Sequence, residues 1–347
     1  MSHRLPLLLL ADTSVPEALG SKFLRGAAAA GLDNQTDLQV AYSSPAPTFS
    51  PSMSSWSGRV FYRLADRRSW EWWGFQRRLI TTIRNEHPQL VLVTGILPLQ
   101  ARVFEAIHQC GGRIVNYLTD DPWNPIHRRR CFLHNLAQYD HIFSTKQALR
   151  QRLQGAGTPS TSWLPFAYDP VLHQPPNQPL KPSADVVFVG TGARERLPWL
   201  QALADLPGLN RRIHGNSWTG LATPGWQRCN AITGDDYNQA ISSARVVLGL
   251  LRQANGDLST DRSYEIGAIG GCGLYQDSPE HRALLPGYPE AGFFSNPQEL
   301  RQRVNTILND PALQLELRQR GTLAVRQPRH TYAARLRAIL SWAQVHP

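Results

Sequence analysis

The segment DVVFVG runs into Gly190, Thr191 and Gly192 and is followed by Arg194 and Arg196 at the head of a predicted helix. Two glycines in a strand-to-helix turn let backbone N–H groups approach a phosphate, the helix dipole favours negative charge, and arginines can add bidentate contacts. An ordinary tight turn flanked by solvated arginines would carry the same letters. A second constellation lies in DLSTDRSYEIGAIGGCGLYQD, Asp257 to Asp277, where seven residues separate Asp257 from Glu265 and Arg262 stands between them. A carboxylate on the first turns of a helix, above a sheet's carboxyl edge, suits the paired hydroxyls of a ribose, and Arg262 suits a diphosphate. Acidic residues at a solvent-exposed helix N-terminus would serve the helix dipole equally well.

Such residues need strands to present them. In the first half, apolar runs near residues 5, 37, 89, 113 and 141 alternate with helix-length segments at Val15–Ala30, Arg67–Glu86, Leu99–Cys110 and Lys146–Gln154. Gly31, Gly111 and Gly155 stand where helix C-caps belong. That alternation predicts a parallel sheet covered on both faces, a Rossmann-like domain over residues 1–171. LHQPPNQPLKPSA, residues 172–184, holds four prolines and predicts a stiff linker. Beyond it strands near 185, 211, 245 and 272 alternate with helices again, predicting a second Rossmann-like domain over 185–329. Residues 330–347 carry a last helix expected to pack back toward the first domain.

The chain's 347 residues fit two domains at about 150 residues each. With 41% hydrophobic and 18% charged residues it is a folded protein, which excludes a disordered one. Thirty-six basic residues against 26 acidic give a net charge of +10, a field that suits phosphorylated ligands, anionic membrane or nucleic acid without choosing among them. Cys110, Cys131, Cys229 and Cys272 show no CxxC spacing, so neither a zinc site nor a disulfide framework is expected, and a reducing cytoplasm is. The run Leu5 to Ala11 is too short to span a bilayer and no later window reaches ~20 apolar residues, so the protein is expected to be soluble or peripheral at the inner face of a membrane.

The run SYEIGAIGGCGLYQDSPEHRALLPGYPEAGFFSNPQELRQRV and the later RHTYAARLRAIL resemble the C-terminal region of CgeB-like, spore-maturation type glycosyltransferases of the GT-B superfamily, near glycosyltransferase families 1 and 4. The matching positions are Arg262, Tyr264, Glu265, Ile266, Gly270, Pro286, Gly287, Glu290, Glu299, Leu300, His330, Thr331, Tyr332 and Arg335. The upstream Val-Gly-Thr-Gly turn with Arg196 and the Asp120-Asp121-Pro122 strand end extend the resemblance over most of residues 87 to 345. It implies an α/β GT-B fold of two Rossmann-like domains and a nucleoside diphosphate sugar, UDP-linked by expectation, as donor substrate, with no cofactor and no metal. By the same resemblance Gly190, Thr191, Gly192 and Arg196 line the diphosphate, Arg262 neutralises it and Glu265 binds the ribose. Asp257 falls where retaining relatives place the first carboxylate of a Glu-x7-Glu pair, with the shorter Asp in place of Glu.

An acceptor hydroxyl needs a proton sink, and Asp120 and Asp121, at the carboxyl end of a first-domain strand, are placed for that work or for holding the acceptor. Asp121 can equally turn the chain before Pro122. His127 and His134 read as surface or helix-packing residues. Residues 56–78 interleave Trp56, Phe61, Trp70, Trp72, Trp73 and Phe75 with six arginines. That pattern fits a helix packing its aromatics on the sheet, a peripheral membrane or acceptor contact, or, least, stacking on nucleic acid. The sequence thus predicts a glycosyltransferase acting on a glycan, glycoprotein or glycolipid hydroxyl. The alternatives are a nucleotide-sugar 2-epimerase of the same fold and a nucleic-acid-binding protein. Glu265→Ala is expected to weaken donor binding and leave the fold intact.

Overall fold

A computed structural model describes residues 6–33, 36–42, 51–176 and 181–344. The chain divides into two compact units, one running to Pro165 and resuming at Tyr332, the other spanning Phe166–Thr331.

The first unit's strands are β1 (Leu7–Leu10), β2 (Leu38–Tyr42), β3 (Leu90–Thr94), β4 (Arg113–Leu118), β5 (His141–Ser144) and β6 (Thr161–Trp163). They pair in parallel in the order β2-β1-β3-β4-β5-β6. LLLL of β1 and LVLVT of β3 are buried at every position, the mark of strands covered on both faces. The helices Leu19–Ala29, Trp70–Glu86 and Ala101–Gln109 start two to four residues later than their sequence patterns, and Gly31 and Gly111 take the left-handed conformation that ends them. The next helix differs: Arg150–Gly155 absorbs Gly155, and Gly157 makes the left-handed turn. The last helix, Tyr332–Ala343, lies against Leu19–Ala29. Phe23 meets Tyr332 edge-on at 5.3 Å, Arg335 Nε donates to the Pro165 carbonyl at 2.7 Å, and a Cβ on Gly26 would come within 2.9 Å of the Ala333 nitrogen.

The second unit's strands are β7 (Ala184–Val189), β8 (Arg211–His214), β9 (Gln227–Cys229), β10 (Ala244–Gly249), β11 (Gly273–Gln276) and β12 (Phe293–Phe294). Their order is β12-β11-β10-β7-β8-β9, all parallel, so the winding direction reverses between β7 and β10. A crevice at the carboxyl ends of the strands flanking such a reversal is where doubly wound sheets take their ligands. The core is a single cluster from Phe166 and Val186 through Ile213, Val247 and Leu274 to Leu317.

Three strands, β6, β9 and β12, escaped the sequence pattern. Each is two or three residues long and lies at a sheet edge, where neither an apolar run nor alternation develops. The division after Pro165 precedes the Pro-rich stretch, of which residues 177–180 lie outside the described residues. Its physical basis is local. Phe166 and Tyr168 are buried in the second core, Asp169 N–H donates to His173 Nδ1 at 3.0 Å, and Asn238 donates to the Leu172 carbonyl at 2.7 Å. The start of that stretch is thus folded into the second unit.

Candidate nucleotide site and a carboxylate turn

The second unit gathers most of the expected site residues at the reversal between β7 and β10. β7 runs into Gly190-Thr191-Gly192, then a 3-10 turn Arg194–Arg196 and a helix of only five residues, Leu197–Gln201. So short a helix leaves little dipole for an anion. The two glycines meet protein. Gly190 N–H donates to the His214 carbonyl at 2.9 Å, Trp218 Nε1 donates to the Gly190 carbonyl at 2.9 Å, and Gly192 N–H donates to the Asn216 carbonyl at 2.8 Å. A Cβ on Gly192 would collide with the Ser217 carbonyl, so close packing on the loop after β8 already requires glycine there.

Arg196 is the unusual group. It is 6% exposed, it lies over the Phe188 ring at 5.0 Å, and its Nη1 donates to the Thr191 carbonyl. Its buried Nε has no hydrogen-bond partner, and among the described residues it makes no ion pair. Burial pushes its pKa down to about 10, with Arg252 and Arg262 repelling it further and Glu195 and Asp257 offsetting part of this. Arg252, just past the end of β10, also makes no ion pair among the described residues, whereas Arg194 is exposed. A buried guanidinium with an open donor beside two other cations is a site prepared for an anion.

Glu265 lies in the helix Asp261–Ile269, opened by a capping box between Thr260 and Ser263 and closed by left-handed Gly270. It is 2% exposed and already engaged. Tyr237 hydroxyl donates to Oε2 at 2.9 Å, Arg262 Nη1 pairs with the same oxygen, and His173 Nε2 is 3.3 Å from Oε1. His173 Nδ1 accepts the Asp169 N–H, so the ring's remaining nitrogen carries the proton toward Glu265. Arg262 also donates to the Val189 carbonyl at 3.4 Å and lies over the Tyr237 ring at 4.9 Å. Desolvation works against its charge, but Tyr237 and Glu265 more than offset it and raise its pKa. Glu265 therefore holds buried groups together, and the expectation that Glu265→Ala leaves the fold intact does not fit this geometry. Asp257 follows left-handed Gly256, is buried, and accepts from Asn255 Nδ2 at 3.1 Å. Glu195 accepts the Ala254 N–H at 2.8 Å, tying the turn after β7 to the loop after β10.

In the first unit, Asp120 and Asp121 follow the end of β4 and divide the work. Asp121 Oδ1 accepts the Trp123 N–H at 2.8 Å, and its carbonyl accepts the Asn124 N–H, so it builds the turn through Pro122. Asp120 accepts from Thr119 Oγ1 at 3.0 Å and lies 3.5 Å from His127 Nε2. Among the described residues no three His, Cys, Asp or Glu side chains cluster as a metal site, and no helix is long and apolar enough to cross a membrane.

Sequence reasoning missed Arg252, Tyr237 and His173, and read His127, which lies 3.5 Å from Asp120, as a surface or helix-packing residue. Arg252 had a readable signal, its position directly after the apolar run RVVLGLL. His173, in a proline-rich stretch, had none.

Residues 194–341 match a family model described as glycosyl transferase-like. No curated protein sequence matches the chain. Among solved structures, Anabaena Alr3699/HepE in complex with UDP-glucose is similar at TM-score 0.64 and 12% identity over 98% of this chain and 100% of that one. The T4 phage BGT complex with UDP-glucose is similar at TM-score 0.59 and 13% identity over 96% and 98% of the two chains. A Listeria monocytogenes protein described as a UDP-N-acetylglucosamine 2-epimerase is similar at TM-score 0.56 and 13% identity over 98% and 96%. The fold is GT-B, two Rossmann-like α/β units.

Proposed function

We propose that this glycosyltransferase takes a nucleoside diphosphate sugar, with UDP as the nucleotide, and moves the sugar to an acceptor hydroxyl of a glycan, glycoprotein or glycolipid in the cytoplasm. The observation that carries the reading is Arg196, a buried cation with an unused donor at the sheet reversal. In this reading Arg196 and Arg252 face the diphosphate, and the turn Gly190-Thr191-Gly192, whose two glycine N–H groups are taken by the His214 and Asn216 carbonyls, positions Arg196 rather than binding phosphate through those groups. As the glycosidic bond breaks, charge grows on the leaving phosphate, and fixed cations that need no reorganisation lower that barrier. Arg262, locked by Glu265, adds to the same field, and the remaining acceptor capacity of Glu265 meets the ribose hydroxyls. The negative charge of Asp257 supports the charged form of Arg196. In the first unit Asp120, backed by His127, takes the acceptor proton, and Asp121 keeps the turn in shape.

The order of motifs from Arg262 and Glu265 to His330-Thr331-Tyr332 and Arg335 supports the CgeB-like subgroup. The likeness to a protein described as a 2-epimerase supports a second reading on the same donor site. The test is a thermal-shift screen against UDP, GDP, ADP, CMP and their sugar conjugates, where a ligand at 100 times its Kd adds about 2.7 kcal/mol. A selective shift with a uridine nucleotide that Arg196→Met abolishes is expected. No shift with any nucleotide refutes the donor site. Conversion of UDP-N-acetylglucosamine to its 2-epimer without an acceptor selects the second reading.

A further inference from the structure

Residues 56–73 form two helices, Trp56–Leu64 and the start of Trp70–Glu86, joined by a turn in which Asp66 and Arg67 both take the left-handed conformation. The turn is fixed to the loop after β4. Arg67 Nη1 donates to the Ile126 carbonyl at 2.7 Å, and the Asp66 carboxylate accepts the N–H groups of Arg130 and Cys131, each at 2.8 Å. Two adjoining grooves result, lined by Arg59, Arg63, Arg67, Arg128 and Arg130. Asp66 is the sole carboxylate among their lining residues, and both its oxygens are held by that backbone.

Beside these cations the protein exposes carbon. Of the ten large hydrophobic side chains exposed among the described residues, five come from these two helices and the loop tied to them: Leu64 at 83%, which lines a groove, Trp56 at 75%, Ile126 at 61%, Trp70 and Trp73. The sequence allowed the aromatics to be core, yet of the tryptophans in this segment only Trp72 is buried. Arginines matched to exposed indoles and aliphatics describe a surface for the boundary between lipid headgroups and acyl chains. Nucleic acid would use the arginines and the indoles but has no use for the projecting Leu64 and Ile126.

We infer that this face of the first unit docks on an anionic phospholipid bilayer, with the arginine grooves taking lipid phosphates and Leu64, Ile126 and the tryptophans entering the interface. The inference does not rest on the sugar-transfer reading. The experiment is flotation of the full chain with vesicles of phosphatidylcholine alone or with 30% phosphatidylglycerol at 0.15 M salt, circular dichroism melting serving as the check on folding. Partition onto the anionic vesicles only is expected. Arg63→Gln with Arg128→Gln should cut it about thirty-fold, since each near-surface arginine contributes about 1 kcal/mol, and Leu64→Ser with Ile126→Ser should cut it roughly ten-fold through lost apolar burial. Failure to partition, or partition untouched by both pairs in folded protein, overturns the inference. So does tighter binding to a DNA duplex that responds to the arginine pair and ignores the apolar pair, which would assign the face to nucleic acid.

Discussion

Replacing Arg196 by methionine separates a ligand-binding cation from a structural one. At 6% exposure the guanidinium has almost no water to screen it, and its pKa stands at about 10 against an ordinary 12.5. That difference is a penalty of about 3 kcal/mol on the charged form. The side chain recovers about 1.5–3 kcal/mol from its hydrogen bond to the Thr191 carbonyl and about 0.5–1 kcal/mol from the Phe188 ring. Methionine keeps the length and the contact with Phe188 and removes both the penalty and the charged contacts. The nucleotide-free protein should therefore melt within about 2–4 °C of the parent, the equivalent of about 1 kcal/mol for a unit of this size. Affinity for the nucleoside diphosphate should fall about 10- to 150-fold, the value of one charge-assisted contact. Differential scanning calorimetry without ligand and isothermal titration with UDP measure the two halves. If Arg196→Met melts far lower and binds UDP as the parent does, the arginine is scaffold and the anion-site argument fails.

Glu265→Ala should behave in the opposite way. It strands Arg262, the Tyr237 hydroxyl and His173, and should cost about 3–5 kcal/mol of stability in urea unfolding, with Glu265→Gln recovering part of it. Gly192→Ala should destabilise by about 1–3 kcal/mol without any ligand present, because its Cβ meets the Ser217 carbonyl. Burial holds His281 down at about 4 against an ordinary 6.5, its Nδ1 donating to the Gln276 carbonyl and its Nε2 accepting from Ser263 Oγ. Between those values the unfolded chain binds the proton and the folded one does not, so stability is complete above pH 6.5 and about 3 kcal/mol is lost by pH 4. Denaturation of His281→Asn at pH 7 and pH 4.5 should show a shallower loss than the parent. Asp120→Asn should lower kcat about 10²- to 10⁴-fold with nucleotide affinity unchanged, while Asp121→Ala should show first as a loss of stability.

The sheets were legible because buried parallel strands must be apolar throughout, and LLLL, LVLVT and VVFV have no other use. Edge strands such as Gln227–Cys229 carry no such demand and were invisible. In the site, type and spacing placed Arg196, Arg262 and Glu265 on one crevice, since motif residues follow strand ends in a doubly wound sheet. What spacing could not carry was what each residue already touches. Gly192 is glycine because of Ser217, and Glu265 is committed to three protein partners. His173 reaches Glu265 across 92 positions of sequence, 265 − 173, a distance no local pattern encodes.

The helix Tyr332–Ala343 belongs to the first unit although 166 residues, Phe166–Thr331, are translated in between. At about 5–20 residues per second the ribosome needs roughly 8–30 s to cross that interval. Throughout it Phe23, Gly26 and the Pro165 carbonyl wait for Tyr332, Ala333 and Arg335. The unit synthesised first is thus the one completed last, and a premature stop codon within the helix Tyr332–Ala343 wounds the unit that begins the chain, leaving Phe23 and Gly26 without their partner and exposed to chaperones and proteases.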